Sequence, residues 1–295
     1  MILFDYLIFP GFLFTAVVGL LATWVDRKVT ARVQYRVGPP WFQPFADITK
    51  LLGKETIVPE GAVKYVFLGA PLAGLAAVTL IAAILFRNQP FVGDLIVVFY
   101  LLTLPSLALI VGGSASRNPL SALGASREMK LVLAYELPFI LALATVILKA
   151  RSIMLGDIVA YQTLVGPLIF SLSGLLAFIA ALTVAQAKLG AVPFDIAEAE
   201  QELAAGPLLE YSGAPLALFR LTRAMLYLVL PVLLIVLFLG GIDAWAPLKY
   251  LLVLIVIILV KNTNPRLRID HALRLFWGPV TALAVIGFVL ALFGW

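Results

Sequence analysis

Eight predominantly apolar runs dominate the chain, and most approach the length that a lipid bilayer demands. A hydrocarbon core of about 30 Å is crossed by roughly 20 apolar residues in a helix, because oil offers no partner to a bare backbone group. The runs cover residues 2–25, 63–86, 95–113, 131–148, 168–187, 215–239, 247–260 and 275–293, the seventh being the shortest. Composition agrees, with 63% hydrophobic residues, 13% charged residues and a mean hydropathy of +1.08. A water-soluble globule and a disordered chain are both excluded. The expected fold class is an all-α integral membrane protein of about eight transmembrane helices, a single membrane domain over residues 1–295. The first run has no basic leader and no small-residue cleavage site, so it reads as a span and not a signal peptide. No internal repeat or low-complexity tract stands out.

The 21 Lys and Arg residues are segregated. Fifteen fall on the side of the segments after runs one, three, five and seven; Arg87, Lys149, Arg151 and Lys249 fall on the opposite side, and Arg220 and Arg223 lie inside run six. The positive-inside rule makes the odd-numbered loops cytoplasmic and both termini extracytoplasmic. The net charge of +5 is then a mark of topology, and no nucleic-acid partner is expected. The extracytoplasmic loops are short and nearly featureless, while three cytoplasmic loops are longer and polar. Cysteine is absent and histidine occurs once, at His271. No metal site is expected, and any redox centre must belong to a partner or to a diffusible molecule.

The first cytoplasmic loop, residues 26–61, opens with Asp26-Arg27-Lys28 at the end of helix one and breaks at Gly38-Pro39-Pro40. Gln43-Pro44 then starts a short helix, Pro being favoured in a first turn. Phe45, Ile48 and Leu52 recur at helical spacing, with Asp47, Lys50 and Lys54 on another face. Such a helix lies in the headgroup plane and does not span. Two readings stay open: an interfacial helix anchored to lipid by its lysines, or a basic surface on which a peripheral subunit docks.

Carboxylates sit where oil should be. Glu136 lies inside run four, about a turn and a half below its cytoplasmic end and two residues before Pro138. An ionisable residue there costs about 2.5–3.5 kcal/mol on insertion scales and asks for a function. It is either a proton site or a structural Glu bonded to a Tyr or Arg of another helix. The loop over residues 188–214 is the acidic one, with Asp195, Glu198, Glu200, Glu202 and Glu210 against Lys188 alone. On a helix, Asp195, Glu198 and Glu202 would share a face and titrate as a coupled set. Capping of a helix start after Pro193 explains Asp195 and Glu198 but neither Glu202 nor Glu210. Arg220 and Arg223 either snorkel to the interface or supply counter-ions to these acids.

Four segments resemble, in order, the cytoplasmic loops of one family. They are DRKVTARVQYRVGPP with QPFADITKLLGKE, SREMKLVLAYELPF, VPFDIAEAEQELAAGPLLEYSG, and NPRLRIDHALRLFW. The family is the membrane subunit at the heel of respiratory complex I, together with its equivalent in energy-converting membrane-bound hydrogenases and their ferredoxin-linked relatives. The resemblance implies a subunit with no cofactor and no catalytic centre of its own. It implies a polar path through Glu136, Asp195, Glu198, Glu200, Glu202 and Glu210 toward antiporter-like membrane subunits. Arg27, Lys28, Arg32, Arg36, Asp47, Lys50, Arg266 and Arg268 would dock a peripheral hydrogenase-like, iron–sulfur arm. Iron–sulfur clusters, with or without a nickel–iron site, would sit in partner chains. The direct closure from Gly38 to Pro44, and Ala-Ala-Gly-Pro at residues 204–207, resemble the hydrogenase branch, so a quinone is not expected.

The leading expectation is therefore a non-catalytic, multi-pass coupling subunit of a redox-driven ion pump in a prokaryotic cell membrane. Its alternatives are the quinone-chamber subunit of an NADH:quinone oxidoreductase, a secondary transporter and a passive anchor. A transporter needs broken helices and midplane charges in matched halves. Runs two, three, five, seven and eight have no charge at their centres.

Overall fold

The computed structural model describes residues 2–87 and 91–294, with every side chain among them except those of Ile2, Leu3, Glu200 and Gln201. The described residues form helices and connecting turns, with no strand. In chain order the helices are α1 Ile2–Leu7, α2 Phe12–Val33, α3 Gln43–Leu52, α4 Lys64–Arg87, α5 Asp94–Ala115, α6 Pro119–Ala150, α7 Leu155–Val165, α8 Leu172–Lys188, α9 Glu200–Leu203, α10 Gly213–Phe238, α11 Ala246–Thr263, α12 Ile269–Leu275 and α13 Thr281–Leu292. A π-helical turn, Phe276–Val280, joins the last two around Pro279. Seven helical segments are long and apolar enough to cross a membrane. The eighth expected span is α8, apolar but only 17 residues long. At 1.5 Å per residue it covers about 25 Å, close to a thin bilayer core.

The helix α10 is the hub. From Ala224 to Phe238 it is hydrophobic all round and buried, and it packs against α2, α4, α8 and α11. A helix with no polar stripe has to be surrounded by others. Outer helices keep apolar faces open, as at Leu72, Ile96, Leu104, Leu133 and Ile255, which is what lipid or neighbouring membrane chains require.

Prolines inside these helices leave carbonyls without donors, and distant tyrosines fill two of the gaps. Pro71 has no N–H for the Phe67 carbonyl, which accepts instead from Tyr211 Oη at 2.9 Å. Pro231 leaves the Tyr227 carbonyl to Tyr250 Oη at 3.1 Å. The first bond ties the acidic loop to α4, far away in sequence, and the second ties α11 to the preceding helix α10.

Several expectations are corrected. Helix one continues eight residues past run one, to Val33, so Asp26, Arg27 and Lys28 are helical and not terminal. The fourth span begins twelve residues early at Pro119, because Asn118 Oδ1 caps the Leu120 N–H and Pro119 starts the first turn. Glu136 accordingly sits about 25 Å along a 32-residue helix, far from its end. The connection after α6 is not featureless. It contains α7, whose buried Gln162 donates to the Val236 and Leu237 carbonyls that close α10 and accepts from the Gly240 N–H. On α3, Leu51 is buried and Leu52 exposed, reversing that part of the expected pattern.

Candidate functional site

The polar loops meet at one end of the bundle. Ser212 accepts from the Ile57 N–H, Glu210 accepts from Asn118 at 2.5 Å, and the Leu267 N–H donates to the Pro193 carbonyl. Beneath them is a cavity of about 780 Å³ among α2, α3, α5, α6, α10 and the 188–198 segment. Its wall carries five acids (Asp26, Asp47, Glu128, Asp195, Glu198) and five cations (Arg27, Lys188, Arg220, Arg223, Lys261). That balance follows from burial: charges removed from water persist only when paired and hydrogen-bonded.

The acids do not share a helix face. Residues 195–199 are non-helical, and α9 provides a single turn from Glu200 to Leu203. Ala204, Ala205 and Gly206 then follow in the left-handed region, at φ 49°, 90° and 52°. Gly206 is required there, since a Cβ would strike the Ala197 carbonyl, and its Cα lies against Gly124 of α6. The loop is thereby folded back onto α6, and its acids are distributed among different cations. Asp195 meets Arg266 at 2.7 Å, Glu198 meets Arg223 at 2.5 Å and Glu202 meets Arg127 at 2.6 Å. Arg223 also donates to the Leu189 and Gly190 carbonyls, so its guanidinium holds the loop as well as the charge. Burial pushes the Asp195 carboxyl up, as does nearby Glu198, while Arg223 and Arg266 oppose the rise. The hydrogen bond and charge of Arg127 hold exposed Glu202 below the ordinary range.

Of the expected path residues, Asp195 and Glu198 line the cavity, whereas Glu202 and Glu210 belong to its roof. The Glu200 side chain lies outside the described residues. Glu136 is not on the cavity wall. It receives a 2.7 Å bond from Lys188 of α8, whose side chain is 2% exposed, so the structural partner expected from a Tyr or Arg is a lysine. Of the two expected counter-ions, Arg223 meets an acid of the loop, while exposed Arg220 acts on Asp47.

The expected docking residues of the first and last cytoplasmic loops divide in the same way. Arg27 bonds Asp47 at 2.7 Å inside the cavity wall, and Arg266 serves Asp195. Arg27, Arg32, Arg36, Lys50, Arg266 and Arg268 are all exposed, and Lys28 is half-buried. Asp47 turns inward although desolvation works against its charge, because Arg27 and Gln43 both bond it and its carboxyl ends below the ordinary range.

Sequence reasoning missed Glu128, Lys188, Asp26 and Lys261. Glu128 is buried on α6 and faces the cavity. Asp26 pairs with Lys261 at 2.7 Å, joining α2 to α11. The signal for Glu128 was the Asn118-Pro119 helix start, which carries the fourth helix back through residue 128. Among the described residues no cluster of His, Cys, Asp and Glu is arranged to hold a metal ion.

Comparison with known proteins places this geometry. The NADH dehydrogenase family profile matches residues 6–292. The H subunit of the NADH-quinone oxidoreductase of Thermomicrobium roseum is 38% identical over 93% of this chain and 91% of its own. An H subunit of the NADH-quinone oxidoreductase of Syntrophobacter fumaroxidans, the one numbered 2, is 36% identical over 92% and 90%. A chain of the membrane-bound sulfane sulfur reductase, an archaeal respiratory membrane complex, superposes with a TM-score of 0.88 at 31% identity, over 95% of this chain and 96% of that one. The chain belongs to the NADH dehydrogenase family of respiratory membrane subunits.

Proposed function

We propose that this chain couples electron transfer in a docked soluble arm to ion movement in the membrane, without a redox centre of its own. It is a multi-pass membrane subunit of a prokaryotic plasma membrane, working within a multisubunit respiratory complex. The finer reading assigns the arm to a ferredoxin-linked hydrogenase or sulfur-reducing enzyme. Its iron–sulfur clusters, and a nickel–iron site in a hydrogenase, lie in partner chains. Charge passes from this chain to antiporter-like membrane subunits. The exposed Arg27, Arg32, Arg36, Lys50, Arg266 and Arg268 offer the docking surface, with the half-buried Lys28 and Asp47 beside them.

The observation that carries the reading is the cavity. Asp195 and Glu198 of the loop share its wall with Glu128 and Lys188 of the membrane helices, with Glu136 one bond beyond. Loss of ion uptake in vesicles energised with reduced ferredoxin, on Glu136→Gln or Glu198→Gln in an assembled complex, is the expected result. Full uptake by both variants defeats the proposal. A quinone-reducing role is the second reading, favoured by the names of the relatives at 36–38% identity. It requires turnover to be sensitive to quinone analogues.

A further inference from the structure

Glu136 and the cavity are separated by a single side chain. Glu128 and Lys188 both line the cavity, and Glu136 does not. The Lys188 ammonium reaches past the wall to Glu136 Oε1 at 2.7 Å. It lies 4.6 Å from the Tyr135 ring centroid and 5.3 Å from that of Phe139, two α6 rings that hold a cation without holding it in one place. Glu136 Oε2 is buried without a partner, so this carboxylate can take a proton without breaking an existing bond. Glu128, on the same helix, acts on Lys188 through its charge, and the groups around it are Glu198, Arg223 and Ser106.

We propose that Lys188 is a proton carrier between two carboxylates, Glu128 on the cavity wall and Glu136 beyond it, and not a fixed counter-ion. This inference rests on the coupling function proposed above. The Lys188 ammonium gives one N–H proton to the Glu136 carboxylate, leaving a neutral amine and a neutral acid. The amine then takes the proton of a protonated Glu128 through water in the cavity, which restores the ammonium and leaves Glu128 as carboxylate. One proton has moved from Glu128 to Glu136, and Lys188 is unchanged. A lysine suits the task because its amine can be neutral in a buried site, whereas a guanidinium stays charged.

The test uses the assembled complex in vesicles energised with reduced ferredoxin, with NADH in a parallel arm, reading ions taken up per electron by pH- and sodium-sensitive dyes. Lys188→Arg keeps the charge and the partner of Glu136 but cannot release a proton. We expect uptake per electron to fall about tenfold or more, in Lys188→Arg and Glu128→Gln alike, with Glu128→Asp recovering part of it. If Lys188→Arg pumps like the unmodified complex, the relay is overturned and a fixed counter-ion remains. If Lys188→Arg fails to assemble, Glu128→Gln decides: uptake within about twofold of normal overturns the relay. Glu136→Gln separates the two ideas. Lost uptake there beside normal Glu128→Gln leaves the coupling function standing without the relay; normal uptake there overturns the relay, and the coupling function falls with it when Glu198→Gln is normal as well.

Discussion

Tyr211→Phe is the sharpest test of how the acidic loop is anchored. The Tyr211 hydroxyl is the donor to the Phe67 carbonyl, which lacks an intrahelical partner because residue 71 is proline. Tyr211 is 4% exposed, so water does not reach the orphaned carbonyl easily. The ring itself stays put, stacked on Phe67 at 4.0 Å and edge-on to Phe219 at 4.9 Å, so the substitution removes one hydrogen bond and little else. Leaving a buried acceptor unpaired costs about 1–3 kcal/mol. For a chain of this length that is a fall in Tm of roughly 2–5 °C, followed by tryptophan fluorescence in detergent. The second arm is Pro71→Ala, which returns an N–H to α4 aimed at the same carbonyl. In that background Tyr211→Phe should cost less than about 0.5 kcal/mol, giving a coupling near 1 kcal/mol or more in the double-mutant cycle. Equal costs in both backgrounds refute the account, because the tyrosine would then act through its ring.

Two further outcomes follow from the loop's ion pairs. Arg223→Lys cannot serve Glu198 and the Leu189 and Gly190 carbonyls together, so the assembled protein should lose about 1.5–3 kcal/mol of stability in thermal unfolding, and an unchanged Tm contradicts this. The Glu202 carboxyl is held low by Arg127, so its stabilising contribution is present above the unfolded value near 4.3 and is lost as pH falls through the lower folded value. Hydrogen exchange over residues 199–204, corrected for intrinsic rate, should therefore accelerate on acidification, and Arg127→Gln should abolish that dependence.

Much of the fold was legible because bilayer physics writes it along the chain. Apolar runs mark the spans, and Gln43-Pro44 marks the start of α3. The acid row misleads because spacing at i, i+3 and i+7 implies a shared face only if the backbone is helical. Between Asp195 and Ala199 it is not, and the left-handed turn at residues 204–206 then sends the chain back. Lys188 and Glu128 read as loop charges in the sequence, although both point into the bundle. Their pairing depends on how α6 and α8 cross, and single-chain periodicity carries no record of that. The Tyr211 and Tyr250 bonds were hidden for the same reason: a proline announces a free carbonyl but not which distant hydroxyl fills it.

Near-complete pairing of the cavity charges bears on how a distant electron could be felt at all. One extra charge about 15 Å away, at an effective dielectric of about 20, changes a carboxylate's energy by about 1 kcal/mol, slightly under one pKa unit. An acid clamped deep in its ionised form would not respond to so small a push. Asp195 is not clamped in this way. Burial and Glu198 raise its carboxyl against Arg223 and Arg266, and its Oδ1 is buried without a partner. It lies on the wall of the cavity that also reaches Lys188, bonded to Arg266. Added negative charge above it favours the protonated acid, and removal of that charge favours release toward Arg223 and the cavity. A carboxyl raised by burial and a like charge, with two cations opposing, is expected to respond more readily than exposed Glu202, which Arg127 holds ionised. Arg266→Gln removes one of the two opposing cations and should raise the Asp195 carboxyl further. Carboxyl infrared bands of the assembled complex should then show Asp195 protonated at a higher pH than in the unmodified protein. An unshifted band would mean that Arg223 alone sets the balance.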